Sequence, residues 1–393
     1  MRDAADQPSL PALFARFLKF GFLAWGGPVA QIAMIKRELV EEEKWLSPER
    51  FNRLLAVYQV LPGPEAHELC VHLGMMKRGR LGGLLAGLGF MLPGLLLILA
   101  LAWVYQRLDL DRPMVAAVFL GIQIGVIALI VRAVHRIGEH VLTDKWLWAA
   151  GAASAIGSWF GASFWIILPA AGLFYASAAA GRYALAAAIG LLGIALAVWT
   201  TGPDIVGAIT NTAEGGSVGI AALFVSGLKA GLLTFGGAYT AIPFVRHDAV
   251  GRGWVTEGQF LDSLALGGII PAPLIIFATF VGYLAGGPGG ALAMTAGIFL
   301  PAFGFALLFY DRLERVIEDE RLHRLLEGVA AGVVGLIGVT ALQLGESVAR
   351  SVHSPVFAAA IFAASLALLY LWKSKLNVLV VVLASALAGA VAF

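Results

Sequence analysis

The chain has 393 residues, of which 60% are hydrophobic and 13% are charged, and its formal net charge is +2. A soluble domain carries roughly 25% charged residues, so this composition excludes an ordinary soluble protein. The near-neutral charge gives no indication of nucleic-acid binding. The single cysteine, Cys70, excludes an intramolecular disulfide and a cysteine-rich metal site.

Long uncharged runs indicate membrane-spanning helices, each of which needs about 20 largely apolar residues. Residues 81–106, 146–181, 263–310 and 376–393 contain no Asp, Glu, Lys or Arg. Abundant glycine and the lack of alternating polarity favour helices over a membrane β-barrel. We therefore predict an all-α polytopic membrane protein.

The hydropathy pattern predicts about thirteen helical segments. They cover residues 12–35, 51–76, 81–106, 113–136, 144–160, 162–180, 183–199, 219–245, 260–285, 289–310, 325–348, 355–372 and 376–393. A polar linker over 201–218 separates two predicted domains, 1–200 and 219–393. Because seven crossings precede the second domain, we expect the two halves to be inverted. If 162–180 were re-entrant, the halves would be parallel instead.

The basic residues of the loops predict the orientation. Most of them fall on the side of the N-terminus, so the positive-inside rule places that side in the cytoplasm and the C-terminus outside a bacterial-type inner membrane. The loop 36–53 is an exception, because it would carry five basic residues outside. The first eleven residues are interpreted as a short tail rather than a signal peptide.

The two halves repeat each other with an offset of 210 to 208 residues. Each half has a glycine pair inside an apolar segment and a Pro-x-Pro triplet inside the next one. The residues concerned are Gly26, Gly27, Pro28, Pro62, Gly63, Pro64, Gly236, Gly237, Pro271 and Pro273. Matching interruptions in two halves are typical of transporters whose site lies where the interruptions meet.

The glycine pairs predict an unwound turn within a crossing helix, after which a restarted helix offers free backbone N–H groups to an anion. Close helix packing is the alternative. The Pro-x-Pro triplets are expected to interrupt their helices, with a simple kink as the alternative. Lys19 and Lys229 each lie seven residues before a glycine pair. They either attract a dianion or extend to the membrane surface.

Several other polar residues are candidates near these interruptions. Gln31, Tyr239 and Thr240 follow the glycine pairs and can donate hydrogen bonds to an oxyanion. Glu65, His67 and Glu68 have no equivalents in the second half, which suggests a proton-coupling role or a structural polar cluster. Their spacing does not favour a metal site. Since no phosphate-binding motif or flavin, haem or iron–sulfur ligand set is recognisable, the chain is expected to be neither an ATP-driven pump nor an enzyme, and to need no cofactor.

On these motifs the chain resembles the chromate ion transporter family in its long two-domain form. The matching stretches include FGFLAWGGPVAQIAM at 20–34, VLPGPEAHELC at 60–70 and TFGGAYTAIPF at 234–244. The resemblance implies two related, oppositely oriented domains and export of chromate, with sulfate competing or carried. Gln31 departs from the family pattern, which often has His there, so a proton role of that position is left open.

The sequence thus predicts a secondary transporter that exports chromate, driven by the membrane potential, by proton coupling or by both. A transporter of sulfate or another oxyanion, and an oxyanion channel, are the alternatives. The expected partners are chromate or sulfate and the lipid bilayer. The oligomeric state stays open, with a homodimer among the alternatives.

Overall fold

A computed structural model describes residues 8–109, 112–200, 218–235, 237–308, 319–372, 374 and 376–393. These residues form fifteen α-helices and no β-strand, which confirms the all-α prediction. The helices are α1 (Leu10–Leu23), α2 (Gly27–Ile35), α3 (Pro48–Val60), α4 (Glu65–Tyr105), α5 (Pro113–Val141), α6 (Lys145–Trp159), α7 (Phe164–Ala179), α8 (Tyr183–Thr200), α9 (Ile220–Leu232), α10 (Ile242–Ala249), α11 (Glu257–Gly268), α12 (Phe277–Leu308), α13 (Glu320–Ser351), α14 (Pro355–Leu371) and α15 (Asn377–Ala392).

Among the described residues, four helices are long and apolar enough to cross a membrane, judged by length and composition. They are α4, α5, α12 with the 3₁₀ turn before it, and α13. Shorter apolar helices accompany them, including α7, α8, α9, α14 and α15. The polytopic membrane architecture expected from the composition is therefore present in the described part of the chain.

The first predicted segment, 12–35, is not one helix but two that fold back on each other. The ammonium nitrogen of Lys19 on α1 lies 3.5 Å from a carboxylate oxygen of Glu38, in the π-helical turn that follows α2. A continuous helix would place these residues about 28 Å apart. The expected unwound turn within a crossing helix is thus wrong, because Gly26 and Gly27 (φ 87° and 75°) reverse the chain.

The next segment, 51–76, also folds back, at its Pro-x-Pro triplet. The Tyr58 hydroxyl on α3 is 2.7 Å from Nδ1 of His72 on α4. The ammonium nitrogen of Lys77 lies 4.6 Å from the ring centre of Trp45, just before α3 begins. A hairpin rather than a kinked crossing helix explains both contacts.

The second half repeats the two hairpins. An ion pair between Lys229 on α9 and Asp248 on α10 closes the first of them. In the second, the Phe260 ring on α11 lies 5.9 Å from the Phe277 ring on α12, centre to centre. The predicted segments 219–245 and 260–285 are therefore hairpins too.

Helices α4 and α12 each contain a sharp reversal at equivalent positions. Gly79 has φ 62° and ψ −160°, and Gly287 has φ 63° and ψ −159°. A Cβ atom on Gly74 would lie 2.5 Å from the Gly82 carbonyl oxygen, which is possible only if the chain folds back. Each helix therefore has a first arm, 65–77 or 277–285, and a longer second arm, 80–105 or 288–308.

The second arms of α4 and α12 are equivalent in the repeat and run antiparallel. A Cβ atom on Gly83 would lie 2.8 Å from Leu307, and one on Gly87 would lie 2.5 Å from Phe303. Residue numbers thus rise along one arm as they fall along the other. Equivalent helices that run in opposite directions are the mark of inverted repeats, which confirms the prediction.

The hairpins also remove the exception to the positive-inside rule. Trp45 lies between α2 and α3, and its ring contacts both Phe17 on α1 and Lys77 at the reversal of α4. The loop 36–53 therefore lies at the same end as the start of the chain, and not at the opposite end as the segment count implied. The number of membrane crossings before the second half remains odd, because the two predicted crossings that are hairpins are both removed from the count.

The chain divides into two compact units, and each unit draws on both halves of the sequence. The first comprises Met1–Leu129, Val218–Leu313 and Ser347–Phe393, and contains all four hairpins. The second comprises Ile130–Ser217 and Glu314–Glu346. Within the second unit, α13 packs backbone to backbone against α6 and α7, around a core that includes Ala150, Tyr175 and Ala331. The predicted linker, 201–218, lies almost wholly outside the described residues.

Glycines allow the first helix of each half to lie directly on the second arm of α4 or α12. A Cβ atom on Gly89 would lie 2.9 Å from the Phe14 carbonyl oxygen. The equivalent atom on Gly297 would lie 2.2 Å from the Phe224 carbonyl oxygen and 2.7 Å from the Leu228 nitrogen. These helices can approach so closely only while both positions are glycine.

We expect Gly297→Ala to destabilise the protein by about 1–3 kcal/mol, because the new methyl group meets fixed backbone atoms and α9 must move away from α12. The matched control is Gly304→Ala on the same arm, where an added Cβ atom meets nothing within 4 Å. Thermal unfolding in detergent measures both. Equal unfolding temperatures for the two variants would contradict this account of the packing.

Candidate functional site

The four hairpin tips carry the interruptions that the sequence singled out. We call residues 24–27 tip 1, 61–64 tip 2, 233–237 tip 3 and 269–273 tip 4. Tips 1 and 2 belong to the first half of the chain, and tips 3 and 4 to the second. All four lie within the first compact unit, so their mutual contacts can be described.

Tip 2 and tip 3 contact each other through their backbones. The Gly63 N–H donates a hydrogen bond of 2.9 Å to the Thr234 carbonyl oxygen. Pro62 and Pro64 flank Gly63 and are buried with it. Because prolines have no N–H, Gly63 supplies the one backbone donor of this triplet, and the other half of the chain accepts its bond.

Tip 1 and tip 4 are linked through the side chain of Gln31. Its amide nitrogen donates to the carbonyl oxygen of Ala24 at 2.9 Å and to that of Ala272 at 3.0 Å. Pro271 and Pro273 flank Ala272 in the buried tip 4. Gln31 is thus a bridge between the halves, and its carbonyl oxygen is buried without a hydrogen-bond partner among the described residues.

The two contacts are equivalent under the repeat, since Ala24 corresponds to Thr234 and Gly63 to Ala272. Each half therefore presents one Gly-pair tip to the Pro-x-Pro tip of the other half. The sequence predicted that the interruptions meet. Their pairing, with each tip facing the unlike tip of the other half, is a feature of the tertiary structure.

Tip 1 ends at the start of α2, where the backbone is open on one side. Gly26 caps the helix without any side-chain hydrogen bond, and a Cβ atom on Gly27 would meet nothing within 4 Å. The first N–H groups of a helix have no partner inside the helix. Pro28 provides no N–H, so the donors at this end come from Gly27 and the residues after Pro28.

Tip 3 has a similar opening, although Gly236 lies outside the described residues. Gly237 has φ 118°, and a Cβ atom there would also meet nothing within 4 Å. The Thr240 hydroxyl donates to the Gly237 carbonyl oxygen at 2.6 Å, so it stabilises the 3₁₀ turn Ala238–Ala241 in the present conformation. Tyr239 is half-buried in the same turn.

Lys19 and Lys229 each pair with a carboxylate on the other arm of their hairpin. Lys229 and Asp248 form a buried pair, with side-chain exposures of 13% and 1%. Lys19 is 62% exposed and lies 3.5 Å from Glu38. Sequence reasoning missed both acids. The available signal was the repeat itself, because Glu38 and Asp248 stand at equivalent positions 210 residues apart.

Glu68 is the proton-coupling candidate that touches a tip. A Cβ atom on Gly63 would lie 2.6 Å from one of its carboxylate oxygens. Glu68 and His67 are both fully buried, and their polar side-chain atoms have no hydrogen-bond partner among the described residues. His67 instead lies among aromatic rings, including Phe299 and Phe303. Glu65, at the start of α4, is buried as well.

The tips can therefore offer a small anion hydrogen-bond donors from the backbone, with two ammonium groups on the adjoining hairpin arms. Among the described residues, no group of three or more His, Cys, Asp or Glu side chains is placed to hold a metal ion. Backbone donors and nearby ammonium groups bind an anion by hydrogen bonds and electrostatic attraction.

Comparison with known proteins gives a consistent result. The Chromate transporter family model matches residues 11–181 and again residues 221–390. The chain is 61% identical to the Chromate transport protein of Pseudomonas aeruginosa, over 100% of this chain and 94% of that protein. It is 30% identical to the Probable chromate transport protein of Synechococcus elongatus, over 98% of this chain and 95% of that protein.

A third relative, the Chromate transport protein of Cupriavidus metallidurans, is 28% identical over 98% of this chain and 94% of that protein. No solved structure matches the chain. The family model matches once in each half, and each match contains one pair of hairpins. The chain therefore belongs to the chromate transporter family, in its two-domain form.

Proposed function

We propose that this protein is a secondary transporter that exports chromate across a bacterial-type inner membrane, with its N-terminus in the cytoplasm and its C-terminus outside. The crosswise meeting of the four tips carries the proposal. It joins the glycine-pair tip of each half to the Pro-x-Pro tip of the other half, and the backbone at Gly27 and Gly237 is open beside these contacts. Relatives named as chromate transport proteins support the choice of substrate.

The proposed substrate site consists of the tips and the residues that surround them. These are Lys19, Gly26, Gly27, Pro28, Gln31, Pro62, Gly63, Pro64, Lys229, Gly236, Gly237, Tyr239, Thr240, Pro271 and Pro273. Backbone N–H groups bind the oxygen atoms of the dianion, and the prolines keep the tips from continuing as helix. Lys19 and Lys229 contribute positive charge, and the carboxylate partner of each ammonium reduces its attraction for the dianion.

The energy for export is available from the membrane potential. Moving one charge through 100 mV changes its free energy by about 2.3 kcal/mol. The free energy of a dianion that leaves a negative-inside cell therefore falls by about twice that amount. Proton entry is an additional driving force. Glu68, with Glu65 and His67 beside it, is the proposed carrier of that proton, because an unpaired buried carboxylate next to a dianion site is costly unless it is neutral.

Proteoliposomes loaded with labelled chromate test the proposal. We expect release that a membrane potential accelerates, and accumulation against a chromate gradient when the potential is reversed. Counterflow distinguishes a transporter from the channel alternative: at zero potential, excess unlabelled chromate inside drives transient accumulation of labelled chromate through a transporter but not through a channel. If excess sulfate leaves chromate flux unchanged, sulfate does not share the site. If labelled sulfate moves faster than chromate, the sulfate alternative is favoured.

We expect Gly27→Ala to lower chromate transport at least tenfold, because the added Cβ atom disfavours the left-handed backbone that orients tip 1. The matched control is Gly181→Ala, between α7 and α8. Gly181 has φ 73° against 75° for Gly27, and neither Cβ atom would meet anything within 4 Å. Equal losses in the two variants would show that backbone strain alone, and not the tip, is responsible.

Lys229→Met leaves buried Asp248 with His247 and Arg252 as its remaining basic neighbours among the described residues, at 3.3 and 3.8 Å. We expect destabilisation near the low end of about 3–5 kcal/mol. Lys19→Met, at an exposed pair, should cost under about 1 kcal/mol. The double variant Lys229→Met with Asp248→Asn should regain its unfolding temperature in detergent but not its transport rate. Recovery of both would reduce Lys229 to a structural role.

Glu68→Gln keeps the size of the side chain and removes its ability to ionise. We expect the variant to retain release driven by the membrane potential. It should lose any acceleration by a proton gradient that drives protons inward. The control is Glu139→Gln, an exposed glutamate on α5. If Glu68→Gln responds to the pH gradient as the unmodified protein does, Glu68 carries no coupling proton.

A further inference from the structure

Another buried carboxylate lies away from the tips, on helix α11. Asp262 is 3% exposed. One of its carboxylate oxygens accepts a hydrogen bond of 2.7 Å from the Tyr105 hydroxyl, and the other accepts one of 3.0 Å from the amide nitrogen of Gln123. Both donors are neutral, and they come from α4 and α5.

Asp262 differs from Asp248 and Glu38, two other buried carboxylates of the hairpins, in its lack of a cationic partner. Asp248 pairs with Lys229, and Glu38 lies within 4.0 Å of Arg16 and Lys19. Among the described residues, no Lys, Arg or His nitrogen lies within 4.0 Å of the Asp262 carboxylate. Burial disfavours the ionised form of a carboxylate that has no cationic partner, and its two neutral donors offset only part of that cost.

A cavity of about 490 Å³ gives Asp262 access to water. Its lining includes Tyr105 at the end of α4, Pro113 at the start of α5, Thr256 just before α11 and His353 just after α13. Because these residues stand at helix ends, the cavity lies at one end of the helical bundle. Gln123, Gln259 and Ser351 add polar groups. Among the described residues, Tyr105 and His353 are the titratable side chains that line the cavity with Asp262.

We propose that Asp262 is a proton-binding site through which the water on the cavity side of the membrane acts on the transporter. A proton from cavity water binds a carboxylate oxygen of Asp262 and returns to the same water when it leaves. Proton binding itself is supported by the cavity and by the lack of a cationic partner. Its effect on chromate movement rests on the function proposed above.

The position of Asp262 connects its charge to the substrate site. It lies on the arm that leads to tip 4, seven residues before Ile269, which is about two helical turns. A neutral carboxyl group can stay between α4 and α5, whereas an ionised one gains from contact with cavity water. The charge of Asp262 therefore biases how α11, and with it tip 4, rests against the rest of the unit.

The site belongs to the second half alone. The repeat aligns Asp262 with Arg53, since Phe260 corresponds to Phe51 with the same offset of 209. Because Arg53 has no carboxylate, the first half has no equivalent of the proposed proton-binding site. An asymmetric group of this kind can make the two otherwise equivalent conformations of an inverted repeat respond differently to pH.

Infrared difference spectroscopy of the purified protein tests proton binding without any transport. We expect a pH-dependent carboxyl C=O band that Asp262→Asn abolishes. Asp109→Asn, which alters an exposed acid in the loop after α4 at the same end of the bundle, should retain the band. Glu68→Gln should retain it as well. If the band persists in Asp262→Asn, the proposal is overturned.

A second variant keeps the test decisive if Asp262→Asn fails to fold. Tyr105→Phe removes one hydrogen bond that favours the ionised carboxylate, so the midpoint of the band should move upward by about one pH unit. An unchanged midpoint would contradict the assignment. A band that responds to sodium at constant pH would overturn proton binding in favour of a cation site.

Transport then tests the coupling separately. In proteoliposomes with chromate exchanging at equal concentrations on both sides, acidifying the cavity side alone should change the rate of the unmodified protein at least threefold, and that of Asp262→Asn not at all. An identical response of both proteins would refute the coupling. If no chromate exchange occurs at all, the proposed function fails while the infrared result on Asp262 still stands.

Discussion

The need to satisfy backbone groups at four helix interruptions governs this structure. In lipid, an unpaired N–H or carbonyl group costs several kcal/mol, so a helix can stop at membrane depth only where protein or water provides partners. Here each half provides partners for the other. Gly63 donates to Thr234, and Gln31 joins Ala24 to Ala272. Neither half by itself supplies both members of these contacts.

The hairpin arms are held by devices that recur in both halves, which leaves the tips as the open part. Glycines at equivalent positions let the first helix of each half lie on backbone atoms of a second arm. Equivalent ion pairs, Lys19 with Glu38 and Lys229 with Asp248, link the two arms of a hairpin. Gly27 and Gly237, by contrast, have free space beside them. Rigid arms and open tips suit a site that binds a small dianion through its backbone.

The titratable groups break this symmetry. Glu68 lies beneath tip 2 and has no equivalent acid in the second half, where Ile276 and Phe277 stand in the corresponding region. Asp262 lies on the arm of tip 4, where the first half has Arg53. Inverted repeats by themselves give two conformations of nearly equal energy that open to opposite sides. Under the proposed function, buried acids confined to one half would give those conformations different dependence on pH.

The sequence alone determined that this is an all-α membrane protein, that its two halves repeat, and where its helices stop. These features depend on composition, uncharged runs and the positions of glycine and proline, which are local properties of the chain. The sequence also indicated inversion, through the odd parity of its segments. Only the tertiary structure decided that each interrupted segment is a hairpin, since an apolar run broken by Gly26 and Gly27 looks the same whether the chain continues or turns back. The crosswise pairing of the tips, the partner of Lys229 and the neutral environment of Asp262 were likewise invisible. Each depends on residues far apart in the chain, such as Asp262 and Tyr105, whose contact is set by helix packing rather than by local pattern.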